Sequence, residues 1–540
     1  MKHVNQSKAL FRGAFILAIA ALVTKVLSAV YRVPFQNIVG DVGFYIYQQV
    51  YPFYGLAMVL STTGFPVVIS KLYAEQKEKG DHEKIRRLLF VSYILLQLFG
   101  LICFFILYFG ANHIAIWMND EKLAILLRVV SIVFLLFPFA AILRGYYQGK
   151  GDMVPTALSQ VGEQLIRACT ILFSAYVLTK LGYSLYLIGG GAMFGSITGS
   201  MVSAVILFTF LWIRKEWGII APRKGMLSGY YREAGIIFKT LVYQGLTICI
   251  SGMLMIFIQM ADALNLYSLL TENGYGIEMA KRIKGIFDRG QPIIQLGTIV
   301  AVSMSLSLVP LITSARIKKD ISFLRDKIQL AIRIAIVIGV GASVGLWAII
   351  EPANIMLFEN NSGSSVLGIL SFVILLSSII TTIIAIMQGL GSLLFPAVIV
   401  LAIFPLKYML NNFFVPTFGT MGAAYATLIT LVFACGILYL KFIKMQNIPL
   451  LSFHFLRTLL TAAFMMVILL KGYLALTDMI TIPVGTERIM AAIQALGGAV
   501  SGGFLFLFII IRGGVFMEKE LSLFPFGSKL SLLLPNKNRS

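Results

Sequence analysis

Two stretches decide how this chain is read: YYQGKGDMVP at residues 146–155 and IMQGLGSLLFP at residues 386–396. Each carries Gln-Gly-X-Gly followed a few residues later by proline: Gln148, Gly149, Gly151 and Pro155, then Gln388, Gly389, Gly391 and Pro396. The two glutamines are 240 positions apart. Pro52 in YIYQQVYPFYGL (45–56) and Pro292 in GIFDRGQPIIQL (285–296) match at the same offset of 240. Each Gln-Gly-X-Gly element ends one long apolar run, and its proline opens the next. The chain therefore reads as one unit built twice.

The runs themselves set the fold class. Of 540 residues, 59% are hydrophobic and only 12% charged, with a mean hydropathy of +0.89. Soluble domains carry about 25% charged residues, and apolar runs of about 20 residues span a bilayer as helices. A membrane β-barrel would show short alternating segments instead. The expectation is an all-α polytopic membrane protein with about fourteen spans. They are placed at 10–31, 43–70, 88–111, 123–143, 155–179, 185–213, 238–266, 286–314, 328–350, 364–387, 395–413, 420–440, 455–476 and 488–511. Residues 1–237 form a first lobe of six spans and 238–444 a second. Residues 445–540 add two helices and a tail. Six spans per half is an even number, so the halves run parallel, about an axis along the membrane normal. Paired bundles of this kind are a transporter design. No stretch is left for a soluble catalytic or nucleotide-binding domain, and no cleavage site for a signal peptide follows the first run.

The net charge of +21 would suggest nucleic acid in a soluble chain. Here it reads as basic residues gathered on the cytoplasmic side. With the N-terminus inside, the inner segments carry Lys77, Lys79, Lys84, Arg86 and Arg87, then Arg214, Lys215, Arg223 and Lys224, then Arg316, Lys318 and Lys319. Short outer segments carry acids such as Asp120, Glu121, Glu351, Glu359 and Asp478. Lys281, Arg282 and Lys284 break the pattern, since they fall outside. Both termini are expected in the cytoplasm. Four scattered cysteines and four scattered histidines have no paired spacing, so neither disulfides nor a metal site is expected.

Charges inside spans are costly, about 2.5–3.5 kcal/mol each on insertion scales, so each needs a reason. Lys25 lies deep in the first span, and Arg32 follows two helical turns later on the same face. Glu163 and Arg167 stand four apart, the spacing of a local ion pair. Asp262 and Lys407 lie in spans seven and eleven. Asp288 and Arg289 open span eight, and as neighbours on a helix they point in different directions. Arg289 is aligned with Gln49 of the first copy, so this charge is an addition to a repeated scaffold. Arg128, Arg333 and Lys471, nearer span ends, read as snorkelling residues. Gly191, Gly195 and Gly199 form a small-residue stripe for helix packing. Pro66 and Pro310 suggest bends late in spans two and eight. GYYQGK (145–150) has one residue too few for a phosphate loop and no following Ser or Thr.

Three stretches carry a resemblance: RGYYQGKGDMVPTALSQVGEQLIR (144–167), GIFDRGQPIIQL (285–296) and PLKYMLNNFFVPTFGTMGAAYAT (405–427). They resemble polysaccharide-biosynthesis flippases of the multidrug/oligosaccharidyl-lipid/polysaccharide exporter superfamily. The branch is that of stage V sporulation protein B, related to lipid II flippases. The resemblance implies two six-helix lobes around a cavity, two extra helices beside the lipid tail, and a lipid-linked glycan as substrate. It also implies basic cavity residues on the first and eighth helices. TKVLSAVYR (24–32) is similar to the first-helix motif, matching Lys25 and, shifted by one, Arg32. FDRG (287–290) is similar to the eighth-helix motif, matching Arg289. One departure stands out: lipid II flippases carry an arginine in the second helix, whereas residues 42–70 here have no charge.

The expectation is therefore a flippase that moves an undecaprenyl-diphosphate-linked saccharide, lipid II or another surface-polysaccharide precursor, by alternating access. Lys25, Arg32 and Arg289 would bind the anionic head group, and Asp262 and Asp288 would be the ion-coupling carboxylates. No bond is broken, so the chain is not read as an enzyme, and no cofactor is expected. The partners are the lipid-linked saccharide, membrane lipids and a coupling ion (sodium or proton), with cell-wall synthesis enzymes as further candidates and no nucleic acid. The competing readings are a cation-coupled multidrug exporter of the same superfamily, a membrane-embedded glycan polymerase or ligase, and a non-transporting component of a wall-synthesis complex. Short outer segments speak against the polymerase, and basic cavity residues against an exporter of cations.

Overall fold

The computed structural model describes residues 2–219, 231–307, 312, 316, 321–446, 452–479, 485–521 and 531–534. Among these the chain is helical throughout, with no strand. Twelve helical stretches are long and apolar enough to cross a membrane. Two of them are double. The stretch Ile16–Glu78 holds the first two expected spans, separated by a kink at Gly40 (φ +69°), and Leu394–Met445 holds the eleventh and twelfth, separated at Gly419 (φ +57°). Both kinks need left-handed backbone, which glycine adopts without a Cβ penalty.

The seventh expected span, 238–266, is not one helix. It divides into Ala234–Ser251 and Leu254–Glu272. The break is at Gly252–Met253, where both amides turn back onto carbonyls three residues earlier. Just before the break, Leu241–Leu246 forms a π-helical turn, and a second one, Leu60–Gly64, precedes the helix Phe65–Glu78. The two π turns meet. A Cβ on Gly64 would stand 2.8 Å from the Gly245 carbonyl oxygen and 2.9 Å from the Cys249 amide nitrogen. Pro66 directly follows the π turn Leu60–Gly64, late in the continuous stretch Ile16–Glu78. Pro310 lies outside the described residues, as do Arg223, Lys224, Lys318 and Lys319.

The repeat is visible in the backbone. The helix Val133–Lys150 ends on Gly151 at φ +88°, and the helix Val154–Lys180 opens with Pro155 in its first turn. The helix Val373–Gly389 is followed by Gly391 at φ +83°, and Leu394–Gln446 opens with Pro396. The second glycine of each element thus supplies a left-handed cap, and the proline restarts the helix.

The chain divides into two compact units, Met1–Asp288 with Ser392–Ala423, and Arg289–Gly391 with Ala424–Ser540. In the first unit, the helices Val154–Lys180 and Leu185–Ile213 pack closely through the glycine stripe. A Cβ on Gly195 would lie 3.1 Å from the Arg167 carbonyl, and one on Gly199 would lie 2.7 Å from that of Glu163. Large apolar side chains such as Phe109, Phe173, Trp212 and Phe413 are exposed on helices of this unit, as expected of surfaces that meet lipid.

Candidate functional site

The first unit holds a box of tyrosines around two arginines. The helix Arg32–Val59 carries Tyr47, Tyr51 and Tyr54 at i, i+4 and i+7, which share a face, and Tyr31 precedes it. Arg32 is 1% exposed, with its guanidinium carbon 4.2 Å from the Tyr51 ring centroid. Arg167 comes from the helix Val154–Lys180 and is 0% exposed. Its guanidinium carbon lies 3.8 Å from the Tyr54 centroid, 5.5 Å from Tyr51 and 5.6 Å from Tyr31. Arg167 Nη2 donates to Tyr47 Oη at 2.8 Å, and the Tyr31 and Tyr47 hydroxyls are 2.7 Å apart.

Among the described residues no carboxylate lies within ion-pair distance of Arg32 or Arg167. Buried atoms without a hydrogen-bond partner gather here: Arg32 Nε, Arg167 Nε and Nη1, Tyr54 Oη and Ser28 Oγ. Arginine does not lose its proton in proteins. Stacking on an aromatic face returns about 0.5–2 kcal/mol, less than the several kcal/mol that burying an ion costs. Two guanidinium groups with unused donors and no carboxylate in ion-pair contact among the described residues suit an anion.

The expected Glu163–Arg167 pair does not form. Glu163 Oε2 instead accepts from Arg144 Nη2 at 2.7 Å. Arg144, 0% exposed within the helix Val133–Lys150, also donates to Ser159 Oγ at 3.0 Å and Ser203 Oγ at 2.7 Å. A guanidinium surrounded by three helices takes the carboxylate, and Arg167 is left to the tyrosines. The Lys150 ammonium of the phosphate-loop look-alike is bound by Glu216.

Asp262 is buried against Lys407. Its Oδ1 accepts from Lys407 Nζ at 3.0 Å and from Asn411 Nδ2 at 2.9 Å. Asp288 is buried as well, and Lys284 Nζ donates to both of its oxygens, at 2.6 and 2.7 Å. Asp288 also lies in the electrostatic field of Asp262 and Arg32. The first unit therefore gathers Arg32, Asp262 and Asp288, and adds Lys284 and Lys407 as partners of the two acids. Lys25 belongs to the same unit and is half-buried. Arg289 belongs to the second. It is 0% exposed, donates to Asn360 Oδ1 at 2.8 Å and Asn354 Oδ1 at 3.5 Å, and lies 5.2 Å from the Phe358 centroid.

Residues 10–316 match the family model described as polysaccharide biosynthesis protein. The chain belongs to that family. Over 531 residues, 98% of either chain, it is 42% identical to the uncharacterized membrane protein YabM of Bacillus subtilis (strain 168). It is 26% identical to lipid II flippase MurJ of the same organism over 445 residues, 78% of this chain and 80% of that one. It is 28% identical to stage V sporulation protein B, also of that organism, over 367 residues, 66% and 68% of the two chains. Among solved structures, lipid II flippase MurJ in an inward closed conformation superposes with a TM-score of 0.65 at 17% identity, covering 92% of this chain and all of that one. An inward-facing multidrug resistance MATE family transporter gives 0.62 at 16% identity, over 78% and 94%. At such identities these two likenesses bear on the fold. This family member is a multi-pass membrane protein of the flippase and exporter type.

Proposed function

We propose that this protein translocates an undecaprenyl-diphosphate-linked saccharide from the inner to the outer leaflet of the cytoplasmic membrane. The observation that carries this reading is the tyrosine box. Arg32 and Arg167 are buried, bear unused donors and have no carboxylate partner among the described residues. A pyrophosphate supplies the negative charge and the acceptor oxygens that these groups lack, and guanidinium groups suit phosphate geometry. In the first unit Arg167 joins Lys25 and Arg32 as a head-group ligand, and in the second unit Arg289 is the proposed one. An exporter of small cations would find the wrong sign of charge in this box. The relatives whose names state lipid II flipping and sporulation support a cell-wall or spore-wall precursor.

In this reading the repeat-related halves, 1–237 and 238–444, alternate access by rocking. The helices Phe453–Asp478 and Glu487–Arg512 flank the prenyl tail, and both termini face the cytoplasm. The chemistry is translocation with no bond broken. The lysine partners of Asp262 and Asp288 mean that any ion coupling at these acids works through a neutralised pair.

The deciding experiment is translocation of lipid-linked glycans in proteoliposomes holding the purified chain, with lipid II compared against teichoic and capsular precursors. Transport of one of them, lost in Arg32→Gln and Arg167→Gln variants, is the expected result. Failure to move any of the three overturns the proposal.

A further inference from the structure

Lys407 and Asp262 are more than a buried ion pair. The Lys407 ammonium sits in a cage made only of oxygens: Asp262 Oδ1 at 3.0 Å, Asn411 Oδ1 at 2.7 Å and the Ala423 carbonyl at 2.6 Å. Lys407 and Asn411 are 0% exposed and Asp262 is 2% exposed. The cage is held rigidly. Asn411 Nδ2 donates to Asp262 Oδ1 and to Asn265 Oδ1, both at 2.9 Å, which turns the amide oxygen toward the ammonium. Asn265 Nδ2 donates in turn to Asn412 Oδ1 and the Tyr408 carbonyl, both at 3.0 Å. The ligands come from the helix Leu254–Glu272 and from both sides of the Gly419 kink in Leu394–Gln446.

Two details separate this from a pair that merely satisfies a stray charge. Asp262 Oδ2 is buried and has no hydrogen-bond partner, so the carboxylate keeps unused acceptor capacity. The donor set of carboxylate, side-chain amide oxygen and main-chain carbonyl is also the one that hard cations take from proteins. Charge balance points the same way. Asp262 and Asp288 are matched by Lys407 and Lys284, so an added metal ion would leave the group positive, while removal of Lys407 would leave it negative.

We propose that Lys407 is a tethered cation. Its ammonium fills a cage that would otherwise bind an alkali-metal ion, so this protein holds no metal ion at Asp262, and removing the lysine side chain opens a sodium site there. The inference is independent of the substrate, because it concerns binding to the chain alone. Its failure is therefore distinguishable from failure of the flippase reading.

The test is binding of radioactive sodium by the purified full-length chain in detergent, at constant ionic strength set with choline chloride, alongside thermal unfolding in sodium and choline salts. Wild type is expected to show no saturable sodium binding and the same unfolding midpoint in both salts. Lys407→Ala, and Lys407→Asn with its added amide oxygen, are expected to bind sodium saturably at one site per chain and to unfold at a higher temperature in sodium. Adding Asp262→Asn is expected to abolish both effects. Saturable sodium binding by wild type that Asp262→Asn removes overturns the proposal. So do folded Lys407→Ala and Lys407→Asn proteins that bind no sodium. If neither variant folds, the wild-type measurement decides alone.

Discussion

Arg32 and Arg167 hold their guanidinium groups over the same phenol ring, that of Tyr51, at 4.2 and 5.5 Å from its centroid. They come from different helices, and like charges so placed repel one another unless something negative stands between or beside them. The Tyr47 hydroxyl accepts from Arg167 and contacts that of Tyr31, so the two phenols help to orient the guanidinium donors.

The first prediction follows from that pair. A hydrogen bond to a charged group contributes about 1.5–3 kcal/mol, and each 1.4 kcal/mol is about tenfold in affinity. Arg167→Gln is expected to weaken binding of the lipid-linked substrate by roughly ten- to a hundredfold. Arg167→Lys is expected to recover little, because an ammonium lacks the planar fork and stacks less well on Tyr54. Folding of both variants should be retained, since neither removes the partner of a carboxylate. Binding measured on purified protein, with unfolding midpoints as the control, checks this.

Arg144 and Glu163 give the opposite expectation. Here the guanidinium has its acid, at 2.7 Å, in a site where Arg144 is fully buried. Removing one partner of such a pair costs about 3–5 kcal/mol, while replacing both with apolar residues of similar volume is far milder. Glu163→Leu alone should lower the yield of folded protein and its unfolding temperature sharply. Arg144→Met with Glu163→Leu should restore most of the loss. A double variant as unstable as the worse single one would show that the pair is not an isolated unit.

Much of the architecture is legible in the sequence because its signals are local. The Gln-Gly-X-Gly elements end helices through their own backbone, as Gly151 and Gly391 show by their positive φ. Runs of apolar residues mark the spans without knowledge of their neighbours. The site is legible only in part, for the complementary reason. The spacing of Glu163 and Arg167 is right for a pair, but a rule about one helix cannot see Arg144 arriving from another. The same rule does hold for Lys284 and Asp288, where no competitor intrudes. Lys407 and Asp262 are 145 positions apart, so their meeting is a fact of tertiary structure. The break in the seventh span escapes detection because Gly252 interrupts a stretch whose hydropathy never falls.

The meeting of the two π turns yields a third prediction. Gly64 leaves no room for a side chain: a Cβ there would sit 1.9 Å from Cys249 Sγ as well as against two backbone atoms. Overpacking of this kind costs about 1–3 kcal/mol. Gly64→Ala is expected to lower the unfolding midpoint. Adding Cys249→Ala should relieve only part of the loss, because the Gly245 carbonyl stays 2.8 Å away. Full recovery in the double variant would mean that the sulfur, not the backbone approach, sets the contact.

The last prediction concerns orientation and rests on Lys281, Arg282 and Lys284, the basic cluster on the side where acids were expected. The structure buries two of the three, Lys281 and Lys284, against acids, while Arg282 stays exposed beside Asp41. Lys281 donates to Tyr186 Oη at 2.8 Å and lies 3.8 Å from Asp120, Arg282 lies 4.0 Å from Asp41, and Lys284 is buried on Asp288. The positive-inside rule counts loop charges that meet the membrane surface, and charges matched by acids inside the fold are poor signals for it. With Lys281 and Lys284 discounted, the loop charges favour the proposed orientation, with the N-terminus and the 71–87 segment cytoplasmic. In a background with the four native cysteines changed to alanine, a cysteine at Gln76 should therefore resist a membrane-impermeant thiol reagent in intact cells. One at Gly182, in the turn after Val154–Lys180, should label readily. The reverse pattern would place the cluster inside, invert every span, and make the pairing of these three residues irrelevant to the topology.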